Sequence, residues 1–587
     1  MFDLIIRGGT VVDGTGGPAF TADVGVRDGL IAEVGMLDGP ARRSIDADGA
    51  LVAPGWIDPH THYDGQVTWD DRLEGSASNG VTTVVMGNCG VGFAPVSPTG
   101  HDDLIDLMEG VEDIPGTALV EGIPWGQWET FPDYLAFLDT RSWAIDVGVQ
   151  VPHGPLRVFA MGSRAVDHDL ATSEDTAAMA AMVEEAVRAG ALGFSTSRTI
   201  GHRAMSGYSV PGTFADYDEL LALALAVRAG GGTALQAVPA GGVRELPGQQ
   251  SAEGAIIDEI ALFGKLSRAT GLSLTFSMLQ VKESPILWRD MLAASAMENH
   301  RGAHLHPMVA PRAVTLLTSL QSHHLFQRRP TYLQLQARLP FEELVREMAN
   351  PEVRSTILSE HDRPDPRPGS MENVLPVLLR QGLWSTFPLR EPIDYEPLPG
   401  DAIVARSRVD RSNPDALMYD FLLGSDGTAI GIYLASNYVD GDLEACRGML
   451  RDPNTIPGLS DAGAHVTFVC DMSTPTFNLT HWVRDRTRGS RLPLEYIVER
   501  TTSRPAALFG LTDRGTIHPG KRADLNVIDL EHLKINLPTL RYDLPAGGAR
   551  LLQSSSGYIA TMVRGEITRC EDVDTGARPG RVARRSV

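Results

Sequence analysis

Short apolar runs alternate with glycine breaks at the start of the chain. Residues 4–7 (Leu-Ile-Ile-Arg) and 10–13 (Thr-Val-Val-Asp) flank a Gly8-Gly9 pair that reads as a turn, and 23–26 and 30–34 continue the pattern. β-Branched residues at this spacing predict an antiparallel sheet. The same texture returns at 523–529 and 559–565, so the two ends are expected to pair into one small β domain with everything else inserted between them.

The middle has a different rhythm. Apolar, strand-like runs near 52–58, 81–86, 145–151, 191–196, 233–238, 272–279, 303–309 and 456–460 are interleaved with helical stretches, among them 176–189, 217–229 and 251–270. Strands alternating with helices predict parallel βαβ units. Eight of them predict an α/β fold, a TIM (β/α)8 barrel, with its active site at the C-terminal ends of the strands. The gap 310–455 is far too long for a βα connection and contains the Arg- and Pro-rich stretch 362–368. The expected organisation is therefore 1–52, the N-terminal part of a β-sandwich; 53–309, barrel strands one to seven; 310–455, an inserted subdomain or lid; 456–515, strand eight and a closing helix; and 516–587, the C-terminal part of the sandwich.

Polar residues gather at the predicted strand ends. Strand one leads into His60-Thr61-His62. Side chains at i and i+2 of an extended segment share a face, so both rings can converge on one metal ion, for which imidazole is a common ligand. Two ordinary histidines are the bland alternative, and the matching strand ends that follow weigh against it. Strand two ends in Gly87-Asn88-Cys89-Gly90. A lone cysteine is usually a small core residue, but at a barrel mouth a thiolate ligand is the better reading. Strand three ends at His153, and strand eight ends in Ser460-Asp461-Ala462-Gly463-Ala464-His465. Asp461 there is either a general base beside a metal centre or a helix N-cap.

Composition adds exclusions. The 587 residues exceed what one core usually supports, while 43% hydrophobic and 21% charged residues are ordinary for a globular protein. A net charge of −23 argues against nucleic acid or an anionic membrane as partner; it says nothing direct about a small-molecule substrate, and homo-oligomerisation stays open. No apolar run reaches membrane-spanning length, and the first residues lack a secretory pattern. Cys89, Cys446, Cys470 and Cys570 are scattered, unlike a disulfide framework. A cytoplasmic setting is expected.

The chain resembles the amidohydrolase superfamily, and within it the N-acyl-D-amino-acid deacylase (D-aminoacylase) family. The resemblance rests on residues 5–14 (Ile-Ile-Arg-Gly-Gly-Thr-Val-Val-Asp-Gly), 53–64 (Ala-Pro-Gly-Trp-Ile-Asp-Pro-His-Thr-His-Tyr-Asp), 80–84, the Asn88-Cys89-Gly90 motif, 190–196, 519–524 and 575–582. It implies a metal-dependent amidohydrolase on a TIM barrel, with zinc, one or two ions, as cofactor. It further implies that His60, His62, Cys89 and Asp461 surround the metal, that Asp461 moves the proton, and that Lys282 meets the substrate carboxylate. The reaction implied is cleavage of a linear C–N amide bond, most readily deacylation of N-acyl-D-amino acids.

Two positions depart from that pattern. Gln236 and Gln280 stand where the family has ligating histidines at the ends of strands five and six, and an amide oxygen is a poorer zinc ligand than imidazole. No lysine precedes Lys265, which closes the route through a carbamylated lysine on strand four. A second H-x-H, His304-Leu305-His306, offers metal ligands, substrate contacts or packed histidines, and His202 is a weaker candidate. Gln236 and Gln280 keep two alternatives in view: hydrolysis of another amide or a cyclic imide, and a ligand-binding relic without turnover.

Overall fold

The structure, a computed structural model, describes residues 1–241 and 253–585, apart from the side chains of 253 and 254. The two chain ends meet in one nine-stranded sheet. Leu51–Pro54 runs antiparallel to Leu525–Ile528, pairing Leu51 with Ile528 and Pro54 with Leu525, and this ladder stitches the N-terminal strands to the C-terminal ones. Alternate residues on both sides of the seam (Leu4, Ile6, Val24, Val26, Val527, Met562) fill a shared apolar core.

Two local expectations are corrected. Gly8-Gly9 is not a turn: Phe2–Val11 is one continuous strand with a register shift between Ile6 and Gly9. Gly8 adopts φ +68°, which glycine reaches at no steric cost, so the pair makes a β-bulge that bends the strand without ending it. The sheet is also mixed, since this strand pairs in parallel with Ala41–Asp46 along its first half and with Leu51 and Val52 at its end. The bend allows one strand to serve two successive partners.

The inserted middle forms eight parallel strands in sequential order: Trp56–Asp58, Val81–Met86, Asp146–Pro152, Gly193–Ser197, Ala234–Val238, Ser273–Met278, Leu305–Val309 and Ile456–Pro457. The predicted helices fall between them at Ser173–Ala189, Tyr217–Ala229 and Glu253–Thr270; residues 251 and 252 of the third expectation lie outside the described residues. The segments that follow the first and last strands meet through a parallel bridge between Thr61 and Ala462, where the His62 N–H donates to the Ala462 carbonyl at 2.8 Å. The ring thus closes at the C-terminal end, beside the two histidines.

After strand seven the chain leaves the barrel. It builds a three-stranded antiparallel sheet (Thr315–Thr318, Gly431–Leu434, Thr386–Pro388) and helices including Met371–Gln381 and Pro414–Leu422. Leu325, Phe326, Leu375, Met418 and Leu422 give it a core of its own, which also takes in Phe468 and Val469 from beyond strand eight. Among the described residues, no helix is long and apolar enough to cross a membrane.

Candidate active site

The path out of strand one is held straight by its neighbour. Thr61 donates both its N–H and its hydroxyl to the Val85 carbonyl, at 3.0 and 2.9 Å, so His60 and His62 stay on one side of an extended segment. Both rings are buried. Asp58 braces the same segment from below: it accepts from the His60 N–H at 3.2 Å and from the Ser460 hydroxyl, just past strand eight. Burial pushes the Asp58 carboxyl up to about 6, and Asp64, equally buried, up to about 7.

Cys89 is aimed by backbone strain. It sits at φ +57°, a region that non-glycine residues rarely occupy. Asn88 holds it there, donating to the Thr61 and Val85 carbonyls at 3.1 and 2.9 Å and accepting from Gln150 at 2.8 Å. The flanking glycines are dictated by space as well as φ. A Cβ on Gly87 (φ +78°) would lie 2.3 Å from the Gln150 carbonyl oxygen. Gly87→Ala is therefore expected to destabilise the protein by about 1–3 kcal/mol, read as a lower midpoint in urea unfolding, and to displace the Cys89 loop.

The donor atoms converge. Cys89 Sγ lies 3.4 Å from His60 Nε2 and 3.8 Å from His62 Nε2. Asp461 Oδ1 lies at the same two distances, 3.4 and 3.8 Å, from the same two nitrogens. Ligands about 2.0–2.3 Å from one ion at tetrahedral angles stand about 3.3–3.7 Å apart, so the spacings within His60, His62 and Cys89 suit a shared cation, with Asp461 facing the two rings beside it. The chemistry agrees. Burial holds the His60 imidazole down to about 3, so it is neutral at pH 7 and its contact with Asp461 is not an ion pair. Two imidazoles facing a thiol and a carboxylate are a set of lone-pair donors, which a thiophilic divalent ion reconciles.

Asp461 differs from the other three in exposure. Its side chain is 22% exposed, while His60, His62 and Cys89 are at 6% or less. It sits at φ +48°, and the next helix begins only at Thr474. The N-cap reading is thereby corrected: Asp461 starts no helix, and its carboxylate faces the histidines from the solvent side.

Glu112 was not anticipated from sequence. It ends the helix His101–Glu112 and is buried. One carboxylate oxygen lies 3.4 Å from His62 Nδ1 and the other 3.4 Å from His465 Nε2. A carboxylate behind a ligating histidine fixes the ring and raises its basicity. Glu112→Gln is expected to weaken zinc binding about 10–100-fold, measured by competition with a chromophoric chelator. The only sequence signal was one more glutamate in an acidic helix; its burial comes from the fold.

The remaining expectations scatter. His304 and His306 precede or begin strand seven (Leu305–Val309), so they lie at the floor of the barrel. His304 lines a cavity of about 500 Å³ with Arg228, Thr233 and Leu508, and His306 Nδ1 sits 3.3 Å from the Asn454 carbonyl. Their readings as metal ligands or substrate contacts are corrected: the alternation set their face, but active-site residues follow a strand, and these do not. His202 is buried and meets Ser197 Oγ at 3.0 Å. His153 is buried against Thr196 and Glu219. Gln236 reaches the Cys89 backbone, Gln280 is tied to the insertion, and Lys282 is exposed on a turn after strand six.

Comparison with known proteins agrees with this picture. Residues 43–569 match the profile of the amidohydrolase family. An uncharacterized protein of Mycobacterium bovis is 27% identical over 558 residues, covering 91% of this chain and 85% of that one. A D-aminoacylase of Alcaligenes xylosoxydans xylosoxydans is 38% identical over 196 residues, 33% of this chain and 37% of that enzyme. The crystal structure of an N-acyl-D-glutamate deacylase from Bordetella bronchiseptica, complexed with zinc and a phosphonate mimic of the tetrahedral intermediate, superposes with a TM-score of 0.64 at 25% identity, covering 99% of each chain.

Proposed function

The chain belongs to the amidohydrolase family, and from that premise we propose that it is a metal-dependent hydrolase of linear amides that releases a free amino acid from an N-acyl-D-amino acid. The observation that carries the reading is that Cys89 Sγ and Asp461 Oδ1 each lie 3.4–3.8 Å from the same two ring nitrogens, those of His60 and His62, with His60, His62 and Cys89 forming one mutually close set of donors. Zinc suits a set of one thiolate and two imidazoles. Bound there, it would polarise the scissile carbonyl and make water acidic enough to react near neutral pH.

The chain's own residues do the rest. His60, His62 and Cys89 are buried and held by backbone contacts, so the donors are in place before substrate arrives. Asp461, the solvent-facing member, accepts a proton from the attacking water on its carboxylate as the O–C bond forms. It returns that proton to the amide nitrogen as the C–N bond breaks, so the products are a carboxylic acid and an amine. Lys282, on the mouth side after strand six, would meet the substrate carboxylate. The match to D-aminoacylase and the fold of the zinc-bound deacylase support the substrate class.

The test is amine release from paired N-acyl-D- and N-acyl-L-amino acids with the zinc-loaded protein. Cleavage of D substrates is the expected result. Cleavage confined to cyclic imides would instead favour the alternative hydrolase.

A further inference from the structure

Strands five and six end in carboxamides where a second ion would need ligands, and the structure shows both amides committed elsewhere. Gln236 projects from strand five across the barrel interior, and its Oε1 accepts the Cys89 N–H at 2.9 Å. That bond sets the orientation of the amide, because a backbone N–H can donate only to the oxygen. The end left over is Nε2, which is buried and has no partner among the described residues. It presents N–H hydrogens, the positive end of the amide dipole, and so repels a cation.

Gln280 is engaged at both ends. Its Oε1 accepts from the Val439 N–H at 3.2 Å, and its Nε2 donates to Asp440 at 2.8 Å and to the Pro285 carbonyl at 3.3 Å. Its backbone exchanges hydrogen bonds with Asn437, N–H to Asn437 Oδ1 at 2.7 Å and carbonyl from the Asn437 N–H at 2.9 Å. Gln280 therefore latches the returning arm of the insertion onto strand six. Among the described residues, His60, His62 and Cys89 form the one group of three or more His, Cys, Asp or Glu side chains close enough to hold an ion.

We propose that this chain binds one divalent ion rather than two, on His60, His62, Cys89 and Asp461, with Gln236 a positioning residue that holds the strained Cys89 backbone rather than a ligand. The proposal rests on the metalloenzyme reading above but concerns the number and place of ions, which are measured without substrate.

The full-length protein is stripped with chelator, dialysed against excess zinc, and its metal measured per chain. One ion in the wild type, none in His60→Ala and one in Gln236→Met are expected. In cobalt-loaded protein, a thiolate-to-cobalt charge-transfer band should persist in Gln236→Met but shift from its wild-type position, with zinc bound more weakly, because the Cys89 backbone has lost the bond that holds it. Two ions in the wild type overturn this proposal alone, whereas no ion overturns it together with the proposed function. An unshifted band together with an unchanged zinc affinity in a folded Gln236→Met overturns the positioning role given to Gln236, and no ion bound even in excess zinc overturns the statement that it is not a ligand. Should that variant not fold, zinc-loaded wild-type crystals decide by anomalous scattering: a single peak between His60, His62 and Cys89 supports the proposal, and a peak on Gln236 or Gln280 overturns it.

Discussion

Asp461→Asn is expected to lower kcat about 10²–10⁴-fold, the usual contribution of a general base, with little change in the unfolding midpoint. Asparagine keeps the size of the side chain and can retain its local hydrogen bonds, but it cannot take a proton from water. The backbone conformation is the other concern, and asparagine is among the residues that tolerate φ near +48° best. Asp461 is also the member of the quartet that solvent reaches, at 22% exposure, which is where an attacking water must come from. Steady-state kinetics of amine release together with thermal unfolding check both halves. Undiminished turnover in the variant would remove Asp461 as the base.

Cys89→Ala is expected to abolish stabilisation of the protein by zinc. An ion that binds the folded chain stabilises it by about 2.7 kcal/mol when present at a hundred times its dissociation constant, so the wild type should unfold at a higher temperature in zinc than in chelator. Cys89 Sγ stands 3.4 and 3.8 Å from the two imidazole nitrogens, and alanine removes the donor while leaving both rings in place. The variant should therefore unfold at the same temperature in either solution. If Cys89 were only a small core residue, the zinc-dependent shift would survive the substitution. Differential scanning calorimetry with and without zinc separates the two.

Much of the fold was legible because periodicity reports directly on which faces are buried. Eight apolar runs separated by helical stretches left little choice but a parallel barrel, and the joining of the two ends followed from strand texture alone. What failed was local. Gly8-Gly9 carries the composition of a turn, and only the partners on either side, Val24 opposite Ile6 and Ala22 opposite Gly9, make it a bulge. His304 and His306 have the right alternation, but alternation does not say at which end of a strand a residue lies.

The site shows the same division. His60, His62 and Cys89 were readable because motif and strand end coincide in sequence. Glu112 was not, because its relation to His62 is made by a helix some fifty residues further along, and a glutamate destined for burial has the same letter as one in water. Gln236 and Gln280 were read as losses. Their hydrogen bonds to Cys89, Val439 and Asp440 give them structural roles that no single sequence displays.

The most direct test is amine release from an N-acyl-D-amino acid by metal-stripped protein as zinc is added back. The result expected is negligible activity in the stripped protein, restored by zinc, and no restoration in His60→Ala at the same zinc concentration. Full activity in the stripped wild type, or restoration in His60→Ala equal to that of the wild type, would contradict a reaction that depends on an ion held at His60, His62, Cys89 and Asp461.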